Sequence, residues 1–285
     1  MVEIMQKDGA WDFDGTTLRI VPGHDKSVGL LRQTLGEVAI PLDALAGISY
    51  APGKKEGQLK LRLREGADAL LQVTGGKLAD GSDPYRLSVS NDRSGVAEYL
   101  VDEVRNALLL EQVDTGPTNA YLLPGPTLPI TVGAGDASVA FDGERIRLEW
   151  NWKTEESKAS GGSRIVELDD VAAVEWLPAS GLENGYLRFR VARTGTPPAP
   201  KYDPYAVELW GFRKDPLMAL VGAAVTARMP HPHAPSDGAP PPGPHAAEDR
   251  DVLLRQLREL AELHQAGALT DEEFSTAKQA VLKRL

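Results

Sequence analysis

Phe13-Asp14-Gly15 and Phe141-Asp142-Gly143 are the same tripeptide, and similar residues follow each copy in the same order. Around the first, Trp11, Phe13, Leu18 and Ile20 alternate with polar residues, the pattern of two half-buried strands joined by a tight turn. Asp-Gly is a strong turn signal, because glycine takes positive φ without penalty and aspartate bonds nearby backbone amides. A carboxylate repeated at matching places is also a candidate functional group. The flanking alternation favours the turn for both Asp14 and Asp142.

Working outward in the first copy, Glu37 to Leu42, Ile48 to Tyr50, Leu70 to Thr74 and Tyr85 to Ser90 are expected to be short strands. Gln58 to Arg64 is the clearest strand. Leu59, Leu61 and Leu63 fall on one face, and Lys60, Arg62 and Arg64 on the other. From Gly95 to about Leu110 the period changes, with Val96, Leu100, Val101, Val104 and Leu108 at helical spacing and Ser94 or Asp92 as the expected cap. Short strands closed by one amphipathic helix suggest a small barrel or sandwich.

The second copy restarts at Phe141. Ile146, Leu148, Trp150 and Trp152 alternate with polar residues and predict a half-buried strand. Arg164 to Glu167, Gly185 with Leu187, Phe189 and Val191, and Asp203-Pro204-Tyr205 match Glu37 to Ile40, Gly57 with the three leucines, and Asp83-Pro84-Tyr85. A second helix is expected after Asp215-Pro216, with Asp215 as its N-cap. The fold class is therefore mainly β (α+β), as two tandem modules each ending in a helix. Residues 1–112 form the first repeat, 113–135 a Pro/Gly-rich linker, and 136–229 the second repeat. Residues 230–246 are a Pro-rich spacer expected to be disordered, and 247–285 a helical hairpin.

In that hairpin Leu253, Leu257 and Leu260 share a helix face, Gly267 ends the first helix, and Thr270-Asp271-Glu272-Glu273 is a capping box for the second. Leu263, Leu269, Phe274, Val281 and Leu285 extend the apolar stripe. A hairpin this small has too little core of its own, so the stripe is expected to bury against a protein partner, self or other, with a homo-oligomer as the natural form. The run Leu263-His264-Gln265-Ala266-Gly267-Ala268-Leu269-Thr270-Asp271-Glu272-Glu273-Phe274 resembles the SHOCT (short C-terminal) domain. Trp11 to Gly15, Leu31 to Glu37 and Val101 to Leu110 resemble the actinobacterial tandem domain-of-unknown-function proteins that carry such a tail. That resemblance implies repeats like bacterial pleckstrin-homology domains and a tail used for oligomerisation or recruitment. It supplies no catalytic residues.

Composition narrows the function. The chain has 285 residues and a formal net charge of −10, which opposes nonspecific binding to nucleic acid. It has no cysteine, which excludes disulfides, thiolate zinc sites and cysteine nucleophiles. Met1 to Ala10 does not read as a signal peptide, and Leu217 to Val225 is far short of the roughly 20 residues of a membrane span. A cytoplasmic protein is expected, with any membrane contact peripheral.

No histidine lies between His24 and His231, and no metalloprotease, nucleophile-elbow or Walker pattern occurs. Gly133-Ala134-Gly135-Asp136 looks like a sugar-kinase anion motif. The strand expected at Ser138 to Phe141 denies it the required helix. His231, His233 and His245 sit in the spacer with no carboxylate cluster, so neither metal nor cofactor is expected. Lys54, Lys55, Lys60, Arg62 and Arg64, with Arg188 and Arg190 in the second copy, form candidate anion- or partner-binding faces. The alternatives are an anionic lipid headgroup, an acidic partner, or a plain solvated face. Trp150, Trp152, Trp176 and Trp210 crowd the second copy and are either core or a partner surface. A non-enzymatic binding or scaffold protein is the leading expectation, and a peripheral membrane adaptor the alternative.

Overall fold

The computed structural model describes residues 2–192 and 195–234. The hairpin at 247–285, with its stripe from Leu253 to Leu285, lies outside the described residues, as do His245 and the spacer from residue 235 on. Residues up to Ala234 form one compact unit.

The first repeat contains β1 (Val2–Gln6), β2 (Gly9–Phe13), β3 (Thr17–Pro22), α1 (Leu30–Leu35), β4 (Val38–Pro41), β5 (Leu45–Ala51), β6 (Glu56–Leu63), α2 (Ala69–Thr74), β7 (Arg86–Ser90) and α3 (Ser94–Leu110). Strands β1-β2-β3-β4 make one antiparallel sheet and β5-β6-β7 another, with no closed barrel among the described residues. The second repeat repeats this with β8 (Ile130–Ala134), β9 (Ala137–Phe141), β10 (Arg145–Trp150), α4 (Glu156–Ala159), β11 (Arg164–Glu167), β12 (Val171–Leu177), β13 (Gly185–Val191), β14 (Ala206–Leu209) and α5 (Met218–Thr226). Its sheets run β11-β10-β9-β8 and β12-β13-β14. Even the irregularities recur. The register slips between Leu45 and Gly47 in β5 and between Val171 and Ala173 in β12.

The Asp-Gly turns are turns. Asp14 Oδ1 accepts bonds from the Thr16 and Thr17 amides at 2.9 and 2.8 Å, and Asp142 Oδ1 from those of Glu144 and Arg145 at 2.9 and 2.7 Å. These amides hold both exposed carboxyls below their ordinary pKa. In β6, Leu59, Leu61 and Leu63 point inward while Lys60 and Arg62 are exposed, as the alternation requires. Trp11, Leu18, Ile20, Leu59 and Leu87 fill the first core, which α3 covers with Leu100 and Val104.

Several local expectations differ from the structure. Leu70 to Thr74 belongs to helix α2, not a strand. Asp68 caps it by accepting from the Leu70 and Leu71 amides at 3.1 and 3.0 Å, and Gly75 closes it in the left-handed region. Residues 113–135 are not all linker, because β8 lies at Ile130–Ala134 and pairs with β9. Neither Ser94 nor Asp92 caps α3, which continues from a single 3-10 turn at Asn91–Arg93. Asp215 does not cap α5 either. Its Oδ2 turns back to accept from the Trp210, Gly211 and Phe212 amides at 2.8, 2.8 and 3.0 Å, which fixes the bend after β14.

The two repeats share packing. All nine residues of α5 are buried, since it lies between its own sheets and α2 of the first repeat. Leu31, Leu70 and Val73 of the first repeat belong to the second repeat's core. Gly222 marks the tightest point. A Cβ there would sit 3.0 Å from Val73, 3.2 Å from Leu187 and 3.3 Å from Val174. The start of the spacer returns to the first repeat. His231 Nε2 lies 3.0 Å from the Gly66 carbonyl, and its ring meets Tyr121 edge-on at 4.6 Å.

Candidate functional site: an aromatic and basic cleft in the second repeat

Each repeat has a turn aspartate between its first two strands, and that residue organises one end of the sandwich. In the second repeat this is Asp136. Its Oδ1 accepts from the Glu208 amide of β14 at 2.9 Å, joining the two sheets, and its Oδ2 meets Lys158 Nζ of α4 at 2.6 Å. Both side chains are buried, and Lys158 also donates to the Pro200 carbonyl at 3.3 Å and lies over the Trp150 ring at 4.5 Å. Burial raises the Asp136 carboxyl above its ordinary pKa, and the bond to Lys158 opposes the rise. Gly135 is obligatory beside it. Its φ is +60°, and a Cβ would collide with the Glu208 carbonyl. The first repeat has the same clasp. Asp8 Oδ2 accepts from the Ser88 amide of β7 at 3.0 Å, and buried Arg32 of α1 reaches Asp8 at 3.7 Å and its carbonyl at 2.9 Å.

Above the Asp136 clasp the chain leaves β10 abruptly. Asn151 donates its amide to the Asp136 carbonyl at 3.0 Å and its Nδ2 to the Gly135 carbonyl at 3.0 Å, and its Oδ1 accepts from the Lys153 amide at 2.9 Å. The strand therefore ends at Trp150, and Trp152 is not the inward strand residue its alternation predicts. It is 89% exposed. Phe212, on the bend that Asp215 fixes, is 56% exposed. Between these two loops and the β8–β9 turn lies a cleft of about 730 Å³ lined by Trp150, Trp152, Lys153, Phe212, Arg213 and Lys214, among others. Lys153 Nζ lies 5.5 Å from the ring centre of Trp152, 5.2 Å from Trp210 and 5.2 Å from Phe212. Trp176, by contrast, is core, and Trp150 is half-buried with its Nε1 donating to the Gly162 carbonyl at 2.8 Å.

The corresponding loops of the first repeat enclose a cleft of about 770 Å³ lined by Lys7, Asp8, Asp25, Ser27, Glu56 and Arg93 among others, with no aromatic ring. The scaffold is shared and the lining has diverged.

The basic strand faces are placed differently from one another. Lys54, Lys55, Lys60 and Arg62 are exposed, with Arg62 also donating to the Ala46 carbonyl at 3.2 Å. Arg64 is drawn inward and serves as a staple, donating to the carbonyls of Gly116 at 2.9 Å and Asp43 at 3.0 Å and pairing with Asp114 at 3.3 Å. Arg188 is buried, not solvated. Asp203 binds it at 2.8 Å and Glu175 at 3.5 Å, because Glu175 stands directly across from it on β12. Arg190 pairs with the same Glu175 at 3.3 Å. Three of the seven candidates, Arg64, Arg188 and Arg190, are thus paired with carboxylates, and Arg62 is held by a backbone carbonyl.

Among the described residues no group of three His, Asp or Glu side chains is positioned to hold a metal ion, and no helix is long and apolar enough to cross a membrane. Among curated proteins none matches the chain significantly. Residues 255–282 match the Short C-terminal domain, the SHOCT family. Residues 11–105 and 139–226 match the Domain of unknown function (DUF4429), and these two segments together cover more than half of the chain. The chain belongs to the DUF4429 family, carries its domain twice in tandem, and ends in a SHOCT domain.

Proposed function

We propose that this protein is a non-enzymatic adaptor whose tandem domains dock a protein partner while the SHOCT tail recruits or multimerises it. The single observation that carries the reading is the divergence of two equivalent clefts: both carry cations, but aromatic rings line only the second-repeat cleft. Exposed Trp, Phe and Arg around a concavity are side chains enriched at protein interfaces, and Trp and Arg are prominent among those that carry most of the binding energy. The four-plus-three strands and closing helix of each repeat support the pleckstrin-homology-like reading, a scaffold that presents its loops to partners. Tethered copies would act by avidity, so modest single-site affinity suffices.

Two measurements test the proposal. Light scattering of the full chain against a chain ending at Ala234 should show a larger assembly only with the tail, and equal masses would remove multimerisation. Crosslinking capture by the full chain in native lysate should recover a partner that the Trp152→Ala chain loses. The strand faces give the lipid alternative less support, because Arg64, Arg188 and Arg190 are engaged by carbonyls and carboxylates.

A further inference from the structure

We infer that the second-repeat cleft takes an acidic segment of a partner protein, anchored by one aromatic or long apolar side chain flanked by carboxylates. The inference rests on the adaptor reading and names the chemistry of what that cleft docks.

Charge complementarity comes first. Lys153, Arg213 and Lys214 line the cleft from two loops, and among the described residues none of them forms an ion pair. Two carboxylates, Asp215 and Glu149, also line the cleft. Asp215 accepts three backbone amides through Oδ2, and Glu149 lies 3.8 Å from Arg147. The lining thus carries three cations against two carboxylates, in a chain whose net charge is −10. Elsewhere in the same repeat Arg188, Arg190, Lys158 and Lys201 each have a carboxylate partner, so these three cations are unpaired in a setting where pairing is common.

The rings define the second half of the ligand. Trp152 and Phe212 hold the Lys153 ammonium against their faces, which leaves its outer side open to an anion and keeps apolar ring surface alongside it. An occupant that satisfies the whole surface needs a carboxylate next to an apolar body. An acidic peptide with an embedded aromatic residue meets that requirement. A flat anionic bilayer would touch the rim of a concave site and leave its floor unfilled. The first repeat serves as an internal control, because its equivalent cleft has no aromatic ring and sets Asp25 and Glu56 beside Lys7 and Arg93.

The test uses the full chain and a short dye-labelled peptide of Glu and Asp around a single Phe, followed by fluorescence anisotropy. Binding should saturate and weaken with salt. A peptide with Gln and Asn for the acids, and one with Ala for Phe, should each bind about tenfold more weakly. Trp152→Ala and Lys153→Glu should each weaken the acidic peptide by about tenfold at an unchanged melting temperature, whereas Lys7→Glu should change nothing. Absence of binding, equal binding of the uncharged peptide, or indifference to both cleft substitutions overturns the inference. So does sedimentation with phosphatidylcholine vesicles carrying phosphatidylserine that depends on Trp152 while the peptide is ignored. A native partner whose capture depends on Trp152 while the acidic peptide is ignored leaves the adaptor reading standing and removes the acidic ligand alone.

Discussion

Replacing Lys158 with Met leaves one of the most buried carboxylates in the chain without its counterion. The two charges lie 2.6 Å apart with side chains 0% and 2% exposed, so neither partner is relieved by solvent. Their gross attraction is about 6 kcal/mol at an effective dielectric constant of about 20, most of it offset by the cost of dehydrating both groups. Methionine keeps the apolar stem over Trp150 but deletes the charge and the bond to the Pro200 carbonyl. Stranding a buried charge in this way costs about 3–5 kcal/mol. The loss should depend on pH with a fixed sign. Burial raises the Asp136 carboxyl and Lys158 opposes the rise, so removing Lys158 raises it further. A carboxyl whose folded pKa exceeds its unfolded one favours folding when protonated, and that contribution disappears as pH rises through the folded value. The Met variant should therefore be most impaired at neutral pH and recover as acid protonates Asp136. Equilibrium urea unfolding at neutral and acidic pH, with unchanged denaturant slope, measures both points. Adding Asp136→Asn should return about 2 kcal/mol, since the amide still accepts from Glu208. A neutral-pH loss below about 1 kcal/mol, or an equal loss at both pH values, would refute the buried-pair account.

Gly222→Val should overpack the junction between α5 and α2 and cost about 2 kcal/mol, seen as a lower melting temperature and faster proteolysis in the Pro/Gly-rich stretch after α3. An unchanged melting temperature would show that the repeats are not gripped there. Asp68→Ala removes the cap of α2 and leaves the buried Tyr85 hydroxyl, now 2.6 Å from that carboxylate, without its acceptor. The expected cost is about 2–4 kcal/mol by calorimetry, and Asp68→Asn should recover part of it. Asp14 and Asp142 have lowered folded pKa values, so their contribution is present at neutral pH and is lost as pH falls through those values. NMR titration of the two carboxyls checks this directly, and ordinary values for both would contradict the turn bonding.

Much of the sandwich is legible from side-chain alternation. The leucines of β6 and the Asp-Gly hairpins announce strands because one face meets the core and the other meets water. Helix α2 defeats that logic, since Leu70 and Val73 are apolar in either period and the deciding signals are Asp68 and Gly75 at its two ends. Strands β1 and β8 are short edge strands whose few inward residues, such as Val2, Ile4 and Val132, give little contrast. Trp152 misleads because alternation continues in the sequence after Asn151 has already turned the backbone. The clasp is harder still. Lys158 sits in a polar stretch and nothing local marks it as buried; only the matched positions of Asp8 and Asp136 ahead of paired strands hint at it. The cleft depends on three loops distant in sequence, so its residues are recognisable as aromatic and basic but not as neighbours.

Helix α5 makes the second copy depend on the first. Nine consecutive residues with no polar face are unsuited to the surface of an independent module, and α2 of the first copy supplies the missing cover. The residues of α2 are synthesised long before α5, so the first copy can act as a preformed seat for the last element of the second. A second copy released alone would expose a sticky helix and lose solubility. The two copies are thus tied by packing while their clefts differ: the linings can vary, but the second copy keeps its cover only beside the first.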